Sequence, residues 1–261
     1  MLSVRNLDLA HGKIPVVSDL NIDFLRGEVT GIVGPNGAGK STFLRTLFGE
    51  HTANRGELTL GDQSFSFTNR RKWQKRIGFM PQDTGYHGGL TALEVVLLGS
   101  TEHLSLRLSD DALRRAATAL DSLGIADLSQ REIATLSGGQ RQLVYFAQAL
   151  MREPDVLLLD EPVSALDLRH QMLLMKHVRD VTRQRGVITI IVLHDLNLAS
   201  SFADRLIMIH DGKAEVDGIP RDVLSSQLLE RVYGVQTRLH YDPDGRPWVH
   251  VHDAHEVHNA R

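Results

Sequence analysis

The stretch Gly34-Pro35-Asn36-Gly37-Ala38-Gly39-Lys40-Ser41-Thr42 decides the reading of this chain. It fits the pattern G-x-x-x-x-G-K-[ST], the P-loop. An apolar run over residues 29–33 precedes it and a helical pattern over 42–47 follows, so the motif has the strand–loop–helix setting it needs. The glycines let the backbone curl until successive N–H groups point inward as an anion nest. The helix that opens behind them adds unsatisfied N–H groups and the positive end of its dipole. In this arrangement Lys40 is expected to reach the β- and γ-phosphates of a nucleotide, Ser41 to bind Mg²⁺, and Thr42 to bond the α-phosphate. A glycine-rich turn opening an ordinary helix is the plain alternative, and the flanking elements favour the nucleotide.

Composition sets outer limits. The 261 residues can bury a large core, as one large domain or two small ones. A hydrophobic content of 42% and a charged content of 23% suit a soluble globular protein. A net charge of −3 argues against non-specific binding to nucleic acid. With no cysteine, disulfides and thiolate metal sites are excluded, which fits a reducing compartment. Residues 1–5 do not read as a signal peptide, and no apolar run reaches the length of a membrane span. The chain is expected in the cytosol, or docked on a membrane through a partner.

Outward from the P-loop, residues 2–9 and 17–24 alternate like half-buried strands, with a turn at His11-Gly12 between them. Strands are also expected over 56–60 and 77–80. From Thr91 the pattern becomes helical: an N-cap at Thr91, a helix from Ser109 to the stop at Gly124, and a third over 136–152. The continuous apolar runs 156–159 and 187–193 suit strands covered on both faces, with helices over 168–185 and 195–202. Residues 205–210 and 213–217 read as a hairpin about Asp211-Gly212. A short helix over 225–233 and a strand pair around Pro243-Asp244-Gly245 close the chain. Buried strands alternating with helices predict an α/β fold with a parallel sheet.

Two further stretches carry chemistry. Asp160-Glu161 ends a buried strand, where ligands of open α/β sheets gather. Asp160 suits a Mg²⁺ partner held through water, and Glu161 a base that orients an attacking water. Acids capping a strand end are the simpler alternative. Leu136-Ser137-Gly138-Gly139-Gln140 is more specific: a hydroxyl, two glycines and a helix N-terminus make a second anion site. One nucleotide does not need two such sites from one chain, so this loop is expected to serve a nucleotide on another copy.

In this order, the P-loop, the 136–140 signature and the Asp160-Glu161 strand resemble the ATP-binding subunit of an ABC transporter over nearly the whole chain. Gln82, in Met80-Pro81-Gln82, matches the family's Q-loop, Ser164-Ala165-Leu166-Asp167 its D-loop, and His194 its switch histidine. The resemblance implies a P-loop NTPase of the ABC ATPase type, with a parallel-sheet core, an antiparallel β subdomain and a helical subdomain. It implies an ATPase domain over 1–241, a helical insertion at about 84–152, and a C-terminal tail over 242–261. It also implies ATP and Mg²⁺ as ligands. Gly34 to Thr42 would hold the nucleotide, with Ser41, Gln82 and Asp160 at the metal. Glu161, His194 and Gln82 would act in hydrolysis. Residues 137–140 and Asp167 would complete the site of the opposite subunit in a homodimer. Permease subunits in the inner membrane and, indirectly, a periplasmic binding protein would be the partners, with the chain peripheral on the cytoplasmic face.

One departure from the family is His11, where a tyrosine usually stacks on adenine; imidazole offers less area. Val163 stands where threonine is common, with little expected consequence. Leu166-Asp167-Leu168-Arg169-His170-Gln171, His194-Asp195-Leu196-Asn197-Leu198-Ala199, Leu97-Leu98-Gly99 and the 228–235 segment are similar to importer ATPases for ferric siderophores, haem and cobalamin. His240, His250, His252, His255 and His258 invite a metal or haem reading, but no helix spacing fixes a partner for them. P-loop kinases and GTPases lack the 136–140 signature. Soluble ABC proteins of DNA repair carry a long coiled coil, and no heptad stretch occurs here. Translation-associated ABC proteins hold two such domains in one chain. An ABC ATPase of another importer class, or a soluble one outside transport, is the remaining alternative.

Overall fold

Val29–Val33, all five residues buried, forms the strand that feeds the P-loop and sits inside the largest sheet. The computed structural model describes residues 1–11, 14–82, 89–100 and 109–254. Their strands are β1 (Leu2–His11), β2 (Ile14–Phe24), β3 (Val29–Val33), β4 (Arg55–Leu60), β5 (Gln63–Ser64), β6 (Ile77–Met80), β7 (Val156–Asp160), β8 (Ile188–Val192), β9 (Arg205–His210), β10 (Lys213–Gly218), β11 (Val235–Tyr241) and β12 (Pro247–Ala254). The helices are α1 (Lys40–Leu47), α2 (Arg70–Lys75), α3 (Ala92–Leu97), α4 (Asp110–Ser122), α5 (Gly138–Leu150), α6 (Leu168–Arg185), α7 (Leu196–Phe202), α8 (Pro220–Val223) and α9 (Ser226–Tyr233).

The largest sheet runs β10-β9-β3-β8-β7-β6, parallel except at β10, which pairs antiparallel with β9. A second, antiparallel sheet is ordered β2-β1-β4-β5, and β11 and β12 form a separate two-stranded sheet. The expected parallel core, antiparallel β layer and helical section are all present. β7 and β8 are buried throughout because alternate residues feed two different cores. Leu157, Leu159 and Ile191 join the core built with α3 to α6 and α9. Val156, Leu158, Ile188, Ile190 and Val192 join the core shared with β1, β2, α1 and Trp73.

Local chemistry sets the helix starts. Thr91 caps α3 with Glu94 answering as a capping box, Ser109 caps α4, and Ser225 caps α9. In α4, Ala112, Ala116 and Leu120 are buried four residues apart, so one stripe faces the core. α5 begins two residues after the apolar pattern does, because Ser137 is its cap rather than its first turn. Sequence periodicity does not reveal α2. Only Trp73 of that helix is buried, held by its indole N–H on Leu47 O at 2.8 Å. β12 begins beyond the boundary expected at 241 and pairs along β11, burying Pro247 and Val249. His255 and His258 lie outside the described residues.

The amino ends of β6 and β7 are tied by charge. Asp155, just before β7, takes hydrogen bonds from Arg26 at 2.5 Å and Arg76 at 2.8 Å, and Arg76 also reaches Leu60 O at 3.1 Å. Partial burial works to raise the Asp155 carboxyl, and the two guanidinium bonds outweigh it, leaving it below the ordinary carboxylate range. A carboxylate depressed in the folded state adds stability above its unfolded pKa and loses it as pH falls through the folded value. Asp155→Ala is therefore expected to lower unfolding free energy by about 1–2 kcal/mol at pH 7. In urea melts repeated at lower pH, the gap from the parent chain should close below about pH 4.

Candidate functional site

Two glycines of the 34–42 loop sit where no side chain fits. Gly34 has φ +146°, and a Cβ there would lie 2.1 Å from Ile209 O. Gly39 has φ +89°, and its Cβ would lie 1.9 Å from Val16 Cγ1. The backbone can thus wrap closely between β3 and α1. α1 starts with no side-chain cap, so its first N–H groups are left for a ligand rather than for the protein. Lys40 is buried, and its ammonium donates to Gly34 O and Pro35 O, each at 2.8 Å. Burial lowers its pKa, against the pull of Glu161 and Asp160. Asn36 and Gly37 are exposed at the rim, while Ala38 and Thr42 are half-buried.

β7 delivers the acids. Asp160 is almost wholly buried; Ser41 Oγ donates to its Oδ1 at 3.0 Å, and its Oδ2 has no hydrogen-bond partner among the described residues. Burial raises the Asp160 carboxyl, the Ser41 bond lowers it, and the Glu161 charge raises it further, with a net upward shift. An orphaned buried carboxylate oxygen beside a serine hydroxyl is a donor set that a hard cation satisfies. Glu161 sits at φ +52°, a left-handed conformation uncommon outside glycine. Gln82 Nε2 donates to its Oε2 at 3.0 Å, and His194 Nε2 meets its Oε1. The residues expected to act in hydrolysis therefore converge on one carboxylate. A cleft of about 530 Å³ joins Asn36, Gly37 and Gly39 through Thr42 to Gln82, Glu161 and His194.

The second loop is built differently. Ser137 Oγ accepts the Gln140 N–H at 3.2 Å, and Gln140 Oε1 accepts the Ser137 N–H at 3.0 Å. This reciprocal cap leaves the exposed Ser137 hydroxyl with its own proton to donate. Gly138 and Gly139 press on Ala165; a Cβ at Gly139 would lie 2.8 Å from Ala165 O. Ser137, Gly139, Gln140 and Asp167 line a separate cleft of about 320 Å³ that contains neither Lys40 nor Glu161. Asp167 caps α6 through the His170 N–H at 2.9 Å and meets His170 Nδ1 at 2.8 Å. Its carboxyl is lowered, first by that backbone bond and then by the imidazole.

Three supporting residues were not anticipated. Gln142 donates to Ser164 Oγ at 2.9 Å and accepts the Ala165 N–H at 3.2 Å, fastening the 164–167 loop to α5. Gln171 donates to Leu166 O at 3.0 Å from the other side. Both are polar residues spaced for a helix, a weak signal that gains meaning only from the loop they hold. Tyr233 in α9 lies near the Gly34 backbone, and burial pushes its hydroxyl up to about 12. The His11 side chain lies outside the described residues. His240 and His250 bring their rings to 6.3 Å on the hairpin, and no group of three or more metal-binding side chains exists among the described residues.

Comparison with known proteins agrees with this geometry. A family model described as ABC transporter matches residues 17–164. The chain is 35% identical to the ferric enterobactin transport ATP-binding protein FepC of Escherichia coli (strain K12), covering 94% of this chain and 92% of that protein. It is 35% identical to the hemin import ATP-binding protein HmuV of Rhodopseudomonas palustris (strain HaA2), covering 95% and 96%. Among solved structures, the ATP-binding cassette MJ0796, dimeric in a post-hydrolysis state with ADP and Pi, superposes with a TM-score of 0.77. It is 28% identical, covering 84% of this chain and 98% of that one.

Lys40→Ala removes the loop's buried cation and should weaken ATP binding by roughly a hundredfold or more in equilibrium dialysis. A chain that kept parent affinity would show that the loop does not hold the triphosphate.

Proposed function

The chain belongs to the ABC transporter family, and from that premise we propose that this ATPase energises uptake of an iron-siderophore, haem or cobalamin-type substrate through a membrane permease. The observation that carries the reading is the division of the site. Lys40 and Glu161 line one cleft and Ser137, Gly139 and Gln140 another, so a single chain holds two unlike halves. Two copies related by a two-fold axis would join each P-loop to the serine-glycine loop of its twin. ATP would then bridge the chains and favour the closed pair by contacts that the open pair lacks.

Within such a pair each residue has a task. Lys40 would exchange its two carbonyl partners for phosphate oxygens. Ser41 and Asp160, with Gln82 beside them, would hold Mg²⁺. When bound, that ion supplies positive charge to the phosphate oxygens. Glu161 would orient the attacking water and draw off its proton, releasing Gln82 and His194 to the water and the γ-phosphate. Ser137 would donate to the γ-phosphate of the opposite subunit, and Asp167 would face the seam. Loss of that phosphate removes the bridge, and the pair opens. The helical section after Gln82 would carry the motion to the permease.

The relatives named for enterobactin and hemin transport support the choice of cargo class. No helix of the described residues is long and apolar enough to cross a membrane, so membrane attachment would come through permease subunits. A periplasmic binding protein would deliver the cargo to the far side, and the chain would work from the cytoplasmic face of the inner membrane.

Glu161→Gln keeps the shape of the acid and removes its basicity. The variant should bind ATP, lose turnover by about a hundredfold or more, and run as a dimer with Mg²⁺ and ATP in light scattering. Turnover at the parent rate would remove Glu161 from its role. A chain that stayed single under those conditions would remove the shared site. Pull-down of a permease that imports an iron chelate tests the cargo.

A further inference from the structure

α7 has seven residues and begins two positions after His194. A helix this short has little stability of its own, so its direction is set by what grips it. At its start the Asp195 carboxylate takes the N–H groups of Asn197 and Leu198 at 2.8 and 3.0 Å. At its end, Arg179 of α6 donates to Ser201 O at 2.9 Å, and Arg246 donates to Ser200 O at 3.2 Å and to Ser201 O. Cations on the last carbonyls of a helix also suit its dipole.

Arg246 belongs to the turn that opens β12, and α7 turns two polar side chains to that strand. Ser200 is fully buried and donates to Pro247 O at 2.8 Å. Asn197 takes both backbone groups of Val249: its Nδ2 donates to Val249 O at 3.1 Å, and Val249 N–H donates to its Oδ1 at 2.6 Å. The amide stands where a neighbouring strand would stand and satisfies the edge of a two-stranded sheet. The same C-terminal segment reaches the P-loop, because Val232 of α9 lines a cleft with Pro35, Asn36, Gly37 and Ala38. It therefore borders the P-loop at one end and grips the helix behind the histidine at the other.

We propose that the β11–β12 hairpin is a splint for His194, with Asn197 as the positioning residue. The paired amide bonds fix α7 on β12, and the first turn of α7 fixes where the imidazole meets Glu161. Burial of Val249 alone would seat the hairpin while leaving α7 free to rotate; the polar ties remove that rotation. The proposal rests on the assignment of Glu161 and His194 to hydrolysis, and not on the identity of any cargo.

The test uses the full chain, with ATPase kinetics, ATP affinity by dialysis, and thermal midpoint measured for each variant. Asn197→Ala should lower kcat about tenfold, with KM for ATP changed less than about twofold. Asn197→Asp keeps the acceptor for Val249 N–H but sets a carboxylate oxygen against Val249 O, so it should lose at least as much as Asn197→Ala. Should Asn197→Ala fail to fold, Ser200→Ala removes a single tie from the same face and should give a smaller loss of the same kind. The decisive measurement is a cycle with His194→Ala. If Asn197 acts through the imidazole, Asn197→Ala adds no further loss in that background; a merely structural loss would add in full. Additive losses, or parent kcat in both Asn197→Ala and Ser200→Ala, overturn the proposal. A His194→Ala chain with unchanged kcat would instead mean that the assignment of the histidine is wrong.

Discussion

The Glu161 carboxylate is the point on which the site is assembled. It leaves the end of β7 in a left-handed backbone conformation and is held by Gln82 on one oxygen and His194 on the other. Such a conformation costs on the order of 1 kcal/mol or more in a non-glycine residue and persists only when the surroundings fix it. Here the surroundings are two buried strands and a loop. The Glu161 N–H is taken by Val192 O, and Glu161 O accepts Ser164 Oγ, so both sides of the residue are engaged. The strain turns the side chain away from the sheet and into the cleft that the P-loop lines.

The partners of Glu161 come from far along the chain, 79 residues before it and 33 after. Sheet order explains how they meet. β3, β8, β7 and β6 lie side by side and parallel, so Gly34, His194, Glu161 and Gln82, each just past a carboxyl end, share one edge. Gly34 and Glu161 were legible from the apolar runs before them, whereas Gln82 and His194 were singled out only through the resemblance to the family. What was not legible is contact between segments with no local pattern. Gln142 and Gln171 look like ordinary surface polar residues of a helix until the 164–167 loop is placed between them. Asn197 gives no hint of its partners, since those partners are backbone groups and carry no side-chain signature. α2 was missed for a related reason: one buried tryptophan in six residues has no period.

The charges of the site are arranged as a held position rather than as a set of satisfied pairs. Lys40 is buried with two carbonyl oxygens as partners, which are weaker acceptors for an ammonium than phosphate oxygens. Asp160 is buried with one oxygen served by Ser41 and the other by none of the described residues. Burial pushes both groups toward their neutral forms, Lys40 downward and Asp160 upward. Each residue is therefore less well matched by the protein alone than by a ligand that brings anionic oxygens to Lys40 and positive charge to Asp160. That mismatch is the physical source of affinity in the loop, since binding relieves a desolvation penalty already incurred in folding.

The same reasoning separates what must be rigid from what must move. The P-loop is held closely because Gly34 and Gly39 leave no space around them. The 164–167 loop is rigid because Gln142 and Gln171 hold it from two helices. Among the described residues His194 has no such direct restraint beyond Glu161, and its side chain is 44% exposed. Its freedom is limited by α7, and α7 is limited by the hairpin. A histidine that exchanges one partner for another, as proposed for His194, needs a fixed backbone and a free ring. Gripping the following helix while leaving the imidazole at the mouth of the cleft provides both.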